Sequence, residues 1–206
     1  MEVVMQALKT LFVGSLLVLF GVGPLWASSS AFNALYAYPE LKPVDSVLRV
    51  TVGQAAPDFS LPAVSGKQVR LSDFQGKKMV MLTFIPAAWT PVCSDQWPGY
   101  NLAKPLFDKF DTTVIGISVD NIPTLYTWTR QMGDLWFEVV SDFWPHGKTS
   151  QDYGVLRSDG MADRAVIIID KTGVVRYTHV DDINVRPELG MIIKALEEIH
   201  SRGPSE

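Results

Sequence analysis

Cysteine is almost missing: the chain has one, Cys93, so it can form no intramolecular disulfide and carries no CxxC redox or zinc motif. Histidine is scarce as well, 3 scattered residues in 206, a poor supply of ligands for a metal centre. Neither charge dominates. With 18 Lys and Arg against 22 Asp and Glu the net charge is -4, without the basic surplus that marks a nucleic-acid partner. Repeats and low-complexity segments are absent too.

The length leaves room for one ordinary domain of about 150 residues plus extra sequence at an end. A hydrophobic content of 47% and a charged content of 19% are those of a globular chain. Part of the apolar total sits in one uncharged run, Leu11 to Ala27. It is at the lower edge of what spans a bilayer and long for the apolar core of a signal peptide. Lys9 is the only basic residue before it, and no Lys or Arg follows until Lys42, an asymmetry that points to an N-terminus inside and a domain outside. Ala27 and Ser29 offer the small pair of a cleavage site. Residues 1–30 are therefore read as a signal anchor or a signal peptide, with a retained anchor narrowly preferred. Residues 31–50 read as a tether and 51–202 as the folded domain. Either reading of the N-terminus implies membrane association or export, and an extracytoplasmic place for the domain, in a periplasm or on the outer face of a membrane.

Within the domain, Phe59–Leu61 and Gln68–Leu71 predict a hairpin turned at Ser65-Gly66-Lys67. Met79–Phe84, Val114–Val119 and Ala165–Ile169 are short, apolar and rich in β-branched residues, the pattern of buried central strands. Val174–His179 follows the turn signal Asp170-Lys171-Thr172-Gly173 and predicts a terminal hairpin. Helices are predicted over Pro91–Phe110, Pro123–Met132 and Pro187–His200, with Pro98 expected to kink or interrupt the first. The result is an α/β layered domain with a mixed sheet.

The stretch Ile85-Pro86-Ala87-Ala88-Trp89-Thr90-Pro91-Val92-Cys93 carries the chemistry. It leaves a predicted strand and opens a helix, with Thr90 as N-cap and Pro91 at the first helical position. Cys93 then falls in the first turn, where unpaired N–H groups and the helix dipole favour an anion such as a thiolate. A lone cysteine is by default inert packing; this placement argues for an activated one.

Pro86-x-x-x-Thr90-x-x-Cys93 resembles the PxxxTxxC signature of the peroxiredoxins of the AhpC/TSA superfamily. The resemblance begins at Val52-Gly53-x-x-Ala56-Pro57-Asp58-Phe59. It continues through Ser118-Val119-Asp120, Ser141-Asp142-Phe143-Trp144-Pro145-His146-Gly147 and Asp163-Arg164-Ala165. With a single cysteine, the chain looks most like the one-cysteine AhpE-type branch. The resemblance implies a thioredoxin-like fold, a mixed central β-sheet flanked by helices, with an N-terminal β-hairpin extension. It implies a peroxidase without metal, flavin or haem cofactors that reduces hydrogen peroxide or organic hydroperoxides.

By the same resemblance Cys93 is the nucleophile that becomes a sulfenic acid, Thr90 directs its hydroxyl to the thiolate and the peroxide, and Pro86 shields the sulfur. Arg164 brings its guanidinium to sulfur and peroxide oxygens. Trp89, Trp144 and Gln96 are candidates for the pocket. Gln96 stands where many members carry Glu. With no second cysteine, an external thiol or a partner redoxin must reduce the sulfenic acid. A homodimer is a further expectation from the family.

Competing readings are a thioredoxin-like binding or chaperone-type module without catalysis, and a membrane-tethered thiol–disulfide oxidoreductase, which the missing CxxC disfavours. His146 reads as a loop or cap residue, and His179 beside Asp181 and Asp182 as a weak metal cue. Gly147-Lys148-Thr149 lacks the first glycine of a P-loop, Asp142 standing in its place. Trp128 and Trp136 read as core or dimer-contact residues.

Overall fold

β3 (Met79–Phe84) is buried along its whole length, because both faces of the sheet it centres are covered. Its side chains alternate: Met79 and Met81 enter one core, Val80, Leu82 and Phe84 the other. The computed structural model describes residues 35–37 and 39–202, all within the unit that runs from Ala31 to Glu206. The apolar run and the expected anchor or signal of residues 1–30 lie outside these residues. Among the described helices none is long and apolar enough to cross a membrane.

The five-stranded sheet has the order β5-β4-β3-β6-β7. β4 (Thr112–Ser118) runs parallel to β3, and β5 (Glu138–Ser141) parallel to β4. β6 (Arg164–Ile169) is antiparallel to β3, and β7 (Val175–Asp181) pairs with β6 as the expected hairpin. The ends of β3, β4, β5 and β7 and the start of β6 therefore share one edge of the sheet. One face is covered by α1 (Pro91–Leu102), α2 (Lys104–Asp108), α3 (Ile122–Thr129) and α5 (Leu189–Arg202), through Trp97, Phe107, Trp128 and Leu196 among others. The other face meets the β1 (Ser60–Pro62) and β2 (Gln68–Arg70) hairpin through Leu61 and Val69, and α4 (Lys148–Tyr153) through Tyr153.

Three departures from the sequence pattern have physical causes. The helix predicted over 91–110 is two helices, broken at Ala103 rather than at Pro98, which lies inside α1. Pro105 cannot give an N–H to Asn101, and it sits where a new helix tolerates proline, near its start. The helix predicted over 123–132 ends in a 3-10 turn at Arg130–Met132. α4 has no apolar period at all; it is nucleated from outside by the buried Asp142, whose carboxylate accepts Thr149 N (3.1 Å), Ser150 N (2.7 Å) and Ser150 Oγ (2.8 Å).

The described part of the stretch read as a tether has no helix or strand, yet it lies on the domain. Val50 is buried and Leu48 packs on the same core. Arg49 N bonds Tyr153 O at 3.1 Å. Its backbone crosses directly over Gly154, where a Cβ would stand 2.2 Å from Arg49 N and 2.3 Å from Val47 O, at a φ of +73°. Gly154→Ala should accordingly cost about 2–4 kcal/mol in urea denaturation, part from the left-handed backbone and part from the clash. A loss below about 0.5 kcal/mol, the ordinary range for surface changes, would show that the segment lifts off freely.

Candidate functional site

The loop between β3 and α1 is pinned before the helix begins. Ala88 N donates to Asp120 Oδ2 at 2.7 Å, and the same oxygen accepts Ser118 Oγ at 2.6 Å, so the end of β4 fixes the turn. Trp89 then takes a left-handed backbone, φ 64°, unusual for a bulky residue and a mark of local strain. Thr90 follows in extended conformation as the N-cap. Its hydroxyl does not cap: the turn at Trp89 brings the Ala87 carbonyl within reach, and Thr90 Oγ1 donates to it at 3.0 Å. Pro91 opens the helix and Cys93 sits in its first turn, fully buried. There, the leading N–H groups have no helical acceptor.

Arg164 enters from the start of β6, 1% exposed. Nη2 lies 3.4 Å from Cys93 Sγ and 2.8 Å from Ile183 O, which also accepts from Nε at 3.2 Å. Nη1 donates to Gln96 Oε1. Gln96 is held in turn by Thr83 Oγ1 (3.0 Å) and the Tyr100 hydroxyl (3.3 Å). Burial pushes the Tyr100 phenol up to about 12, against the opposing pull of its hydrogen bonds to Gln96 and Thr83. The acceptors of the Arg164 N–H groups are thus a carbonyl, an amide oxygen and sulfur, none a carboxylate. Asp181, opposite Arg164 in the β6–β7 register, bonds His179 Nε2 at 2.9 Å. A full charge on the sulfur 3.4 Å away would attract the guanidinium by about 5 kcal/mol at an effective dielectric of 20, before desolvation. The arrangement is suited to hold an anion at sulfur and to donate hydrogen bonds to oxygen atoms brought beside it.

Fold topology brings Cys93, Thr90, Gln96 and Arg164 to one edge, with Pro86 buried just beyond β3. Trp89 is half-buried and packs on the core that contains Cys93. Trp144 lies apart from that core: 69% exposed, its ring packs edge-on against His146, 4.8 Å between centroids. His146 itself is a loop residue with a left-handed backbone. Trp128 is core, its indole N–H on Ser94 Oγ at 3.2 Å, and Trp136 is half-buried with its N–H on Tyr100 O. Asp120, Thr83, Tyr100 and the Ile183 carbonyl were not singled out by sequence. Only Asp120 left a signal there, inside Ser118-Val119-Asp120.

Residues 52–178 match the AhpC/TSA family. Among curated proteins the chain is similar to alkyl hydroperoxide reductase E of Mycobacterium tuberculosis, 36% identical over 132 residues, which cover 64% of this chain and 86% of that protein. It is also similar to a chloroplastic 2-cysteine peroxiredoxin of Chattonella marina var. antiqua, 32% identical over 161 residues, covering 74% and 82%. Among solved structures, reduced 2-Cys peroxiredoxin of Plasmodium vivax superposes with a TM-score of 0.68 at 28% identity, covering 74% of this chain and 84% of that one.

Proposed function

Because the chain belongs to the AhpC/TSA family and is a thiol-dependent peroxidase of thioredoxin-like fold, we propose that Cys93 is its nucleophile, with Arg164, Thr90 and Pro86 completing the site. The observation that carries this assignment is the 3.4 Å contact between Arg164 Nη2 and Cys93 Sγ, at a buried helix N-terminus. The thiolate attacks the distal peroxide oxygen: an S–O bond forms, the O–O bond breaks, and the departing oxygen leaves as water or an alcohol after taking a proton. Cysteine becomes sulfenic acid. An external thiol displaces its oxygen as water, forming a mixed disulfide, and a second thiol releases Cys93 and carries the oxidation away as a disulfide. A separate thiol molecule or a partner redoxin must do this, since the chain has no second cysteine.

Arg164 can follow the reaction from start to finish. One N–H faces sulfur while three others are fixed on Ile183 O and Gln96 Oε1, so the fork cannot swing away as charge moves to oxygen. Pro86 and the half-buried Trp89 keep bulk water from the sulfur.

The test is single-turnover oxidation of the full chain by one equivalent of hydrogen peroxide or an organic hydroperoxide. Tryptophan fluorescence follows it in a stopped-flow instrument, a dimedone-type reagent traps the sulfenic acid, and Cys93→Ser is the control. Fast oxidation confined to Cys93 is expected. Reaction no faster than a free thiol would overturn the assignment and favour the non-catalytic binding module.

A further inference from the structure

We propose that residues 42–49 are a strap that positions Arg164 for reaction, rather than a spacer. The proposal rests on the assignment of Cys93 and Arg164 above. Pro43 O accepts Ile183 N at 2.9 Å, and the Ile183 carbonyl is the group that receives two N–H bonds from Arg164, at 3.2 and 2.8 Å. The strap therefore holds one side of a peptide whose other side holds the guanidinium. The second join is one residue from Arg164. Asp163 is fully buried, and its Oδ2 accepts Asp45 N (3.0 Å), Ser46 N (2.8 Å) and Ser46 Oγ (2.6 Å). Its Oδ1 takes Arg157 Nη1 at 2.6 Å, and the same nitrogen reaches back to Lys42 O at 3.1 Å. Further upstream, Tyr36 N donates to Trp89 O at 2.8 Å, on the strained turn just before Thr90.

A spacer needs none of these bonds. Asp45 Oδ2 on Ser158, Arg49 on Tyr153 and the backbone crossing of Gly154 hold the strap down along its length. The joins at 183 and 163 go further, because each is next to a bond or residue that places Arg164. The family match begins at residue 52, after the strap, and ends at residue 178, before Ile183. Misplacement of a catalytic group by about 1 Å can cost on the order of a hundredfold in rate, which gives so remote a segment leverage.

The experiment compares two reactions of Cys93 in the full chain. Oxidation by hydrogen peroxide needs Arg164 at the breaking O–O bond; alkylation by iodoacetamide needs only an accessible thiolate. Ser46→Pro removes both donors of residue 46, Ser46→Ala removes the hydroxyl, and Ser46→Thr keeps it. Ser46→Pro is expected to lower the peroxide rate constant between about tenfold and about a hundredfold relative to alkylation. Ser46→Ala should move the ratio less in the same direction, and Ser46→Thr should restore it. If both rates fall together, or the ratio stays at the wild-type value in Ser46→Pro and Ser46→Ala, the strap serves stability alone and the proposal is overturned. Should Ser46→Pro fail to fold, the ratio in Ser46→Ala decides. A wild-type chain that reacts like a free thiol sinks the peroxidase assignment, and the strap's role with it, before any variant is compared.

Discussion

Arg164→Ala is expected to slow peroxide reduction by about a hundredfold to a thousandfold, the usual range for losing one fixed donor to a developing oxyanion. An ordinary thiol, with a pKa near 8.5, is a few per cent ionised at pH 7, so full ionisation supplies only about one and a half powers of ten. A larger loss in the variant places the excess on the breaking O–O bond. Arg164→Lys should recover only part of the rate, because an ammonium keeps the charge but cannot hold Ile183 O with two N–H groups and face sulfur at once. The Ala variant also strips the Ile183 carbonyl of its side-chain donors, a cost of about 1–3 kcal/mol in stability, so rates must be taken where the variant is shown folded by circular dichroism. A folded Arg164→Ala protein within threefold of wild type would remove Arg164 from the mechanism.

Asp163→Ala should be the most damaging substitution for stability, by about 3–5 kcal/mol, because it breaks a buried ion pair from one side. The Arg157 and Asp163 side chains are 2% and 0% exposed. Burial works against the Arg157 charge, and its hydrogen bonds to Asp163 and Asp159 more than offset that, so its pKa lies above the usual value. Without Asp163 the guanidinium keeps Asp159, which is a third exposed, while Asp45 N, Ser46 N and Ser46 Oγ lose their common acceptor. Asp163→Asn keeps one oxygen and should cost markedly less. Urea midpoints at constant slope measure both; a loss below about 1 kcal/mol for the Ala variant would show that the pair contributes no more than an exposed one.

Central strands were legible in sequence because burial on both faces writes itself as an apolar, β-branched run; Arg164-Ala-Val-Ile-Ile-Ile is the clearest. β5 was not, since four residues beginning with Glu138 carry too little pattern to tell from a loop. α4 was hidden for a different reason. Lys148-Thr-Ser-Gln-Asp-Tyr has no helical stripe, and the group that starts it, Asp142, lies outside it in sequence. At the site, Cys93 and Thr90 were readable from their spacing and Arg164 from its place in the motif. The acceptor that orients Arg164 is a main-chain carbonyl, which any residue at 183 would supply, so no choice of amino acid betrays it. The strap was illegible for the same cause: its joins at 43, 45 and 46 are mostly backbone atoms.

Gln96 beside Arg164 means that, among the acceptors of the guanidinium N–H groups, only the sulfur can carry a full negative charge. Oxidation to a neutral sulfenic acid discharges that group. The guanidinium is then left without a charged acceptor on any of its hydrogen bonds, a condition costly in a medium that screens poorly. The oxidised enzyme is thereby the less comfortable of its two states, and an incoming thiol that arrives as its anion relieves the imbalance as it enters. A carboxylate at position 96 would have met that need permanently. In this chain the arrival of the reductant meets it.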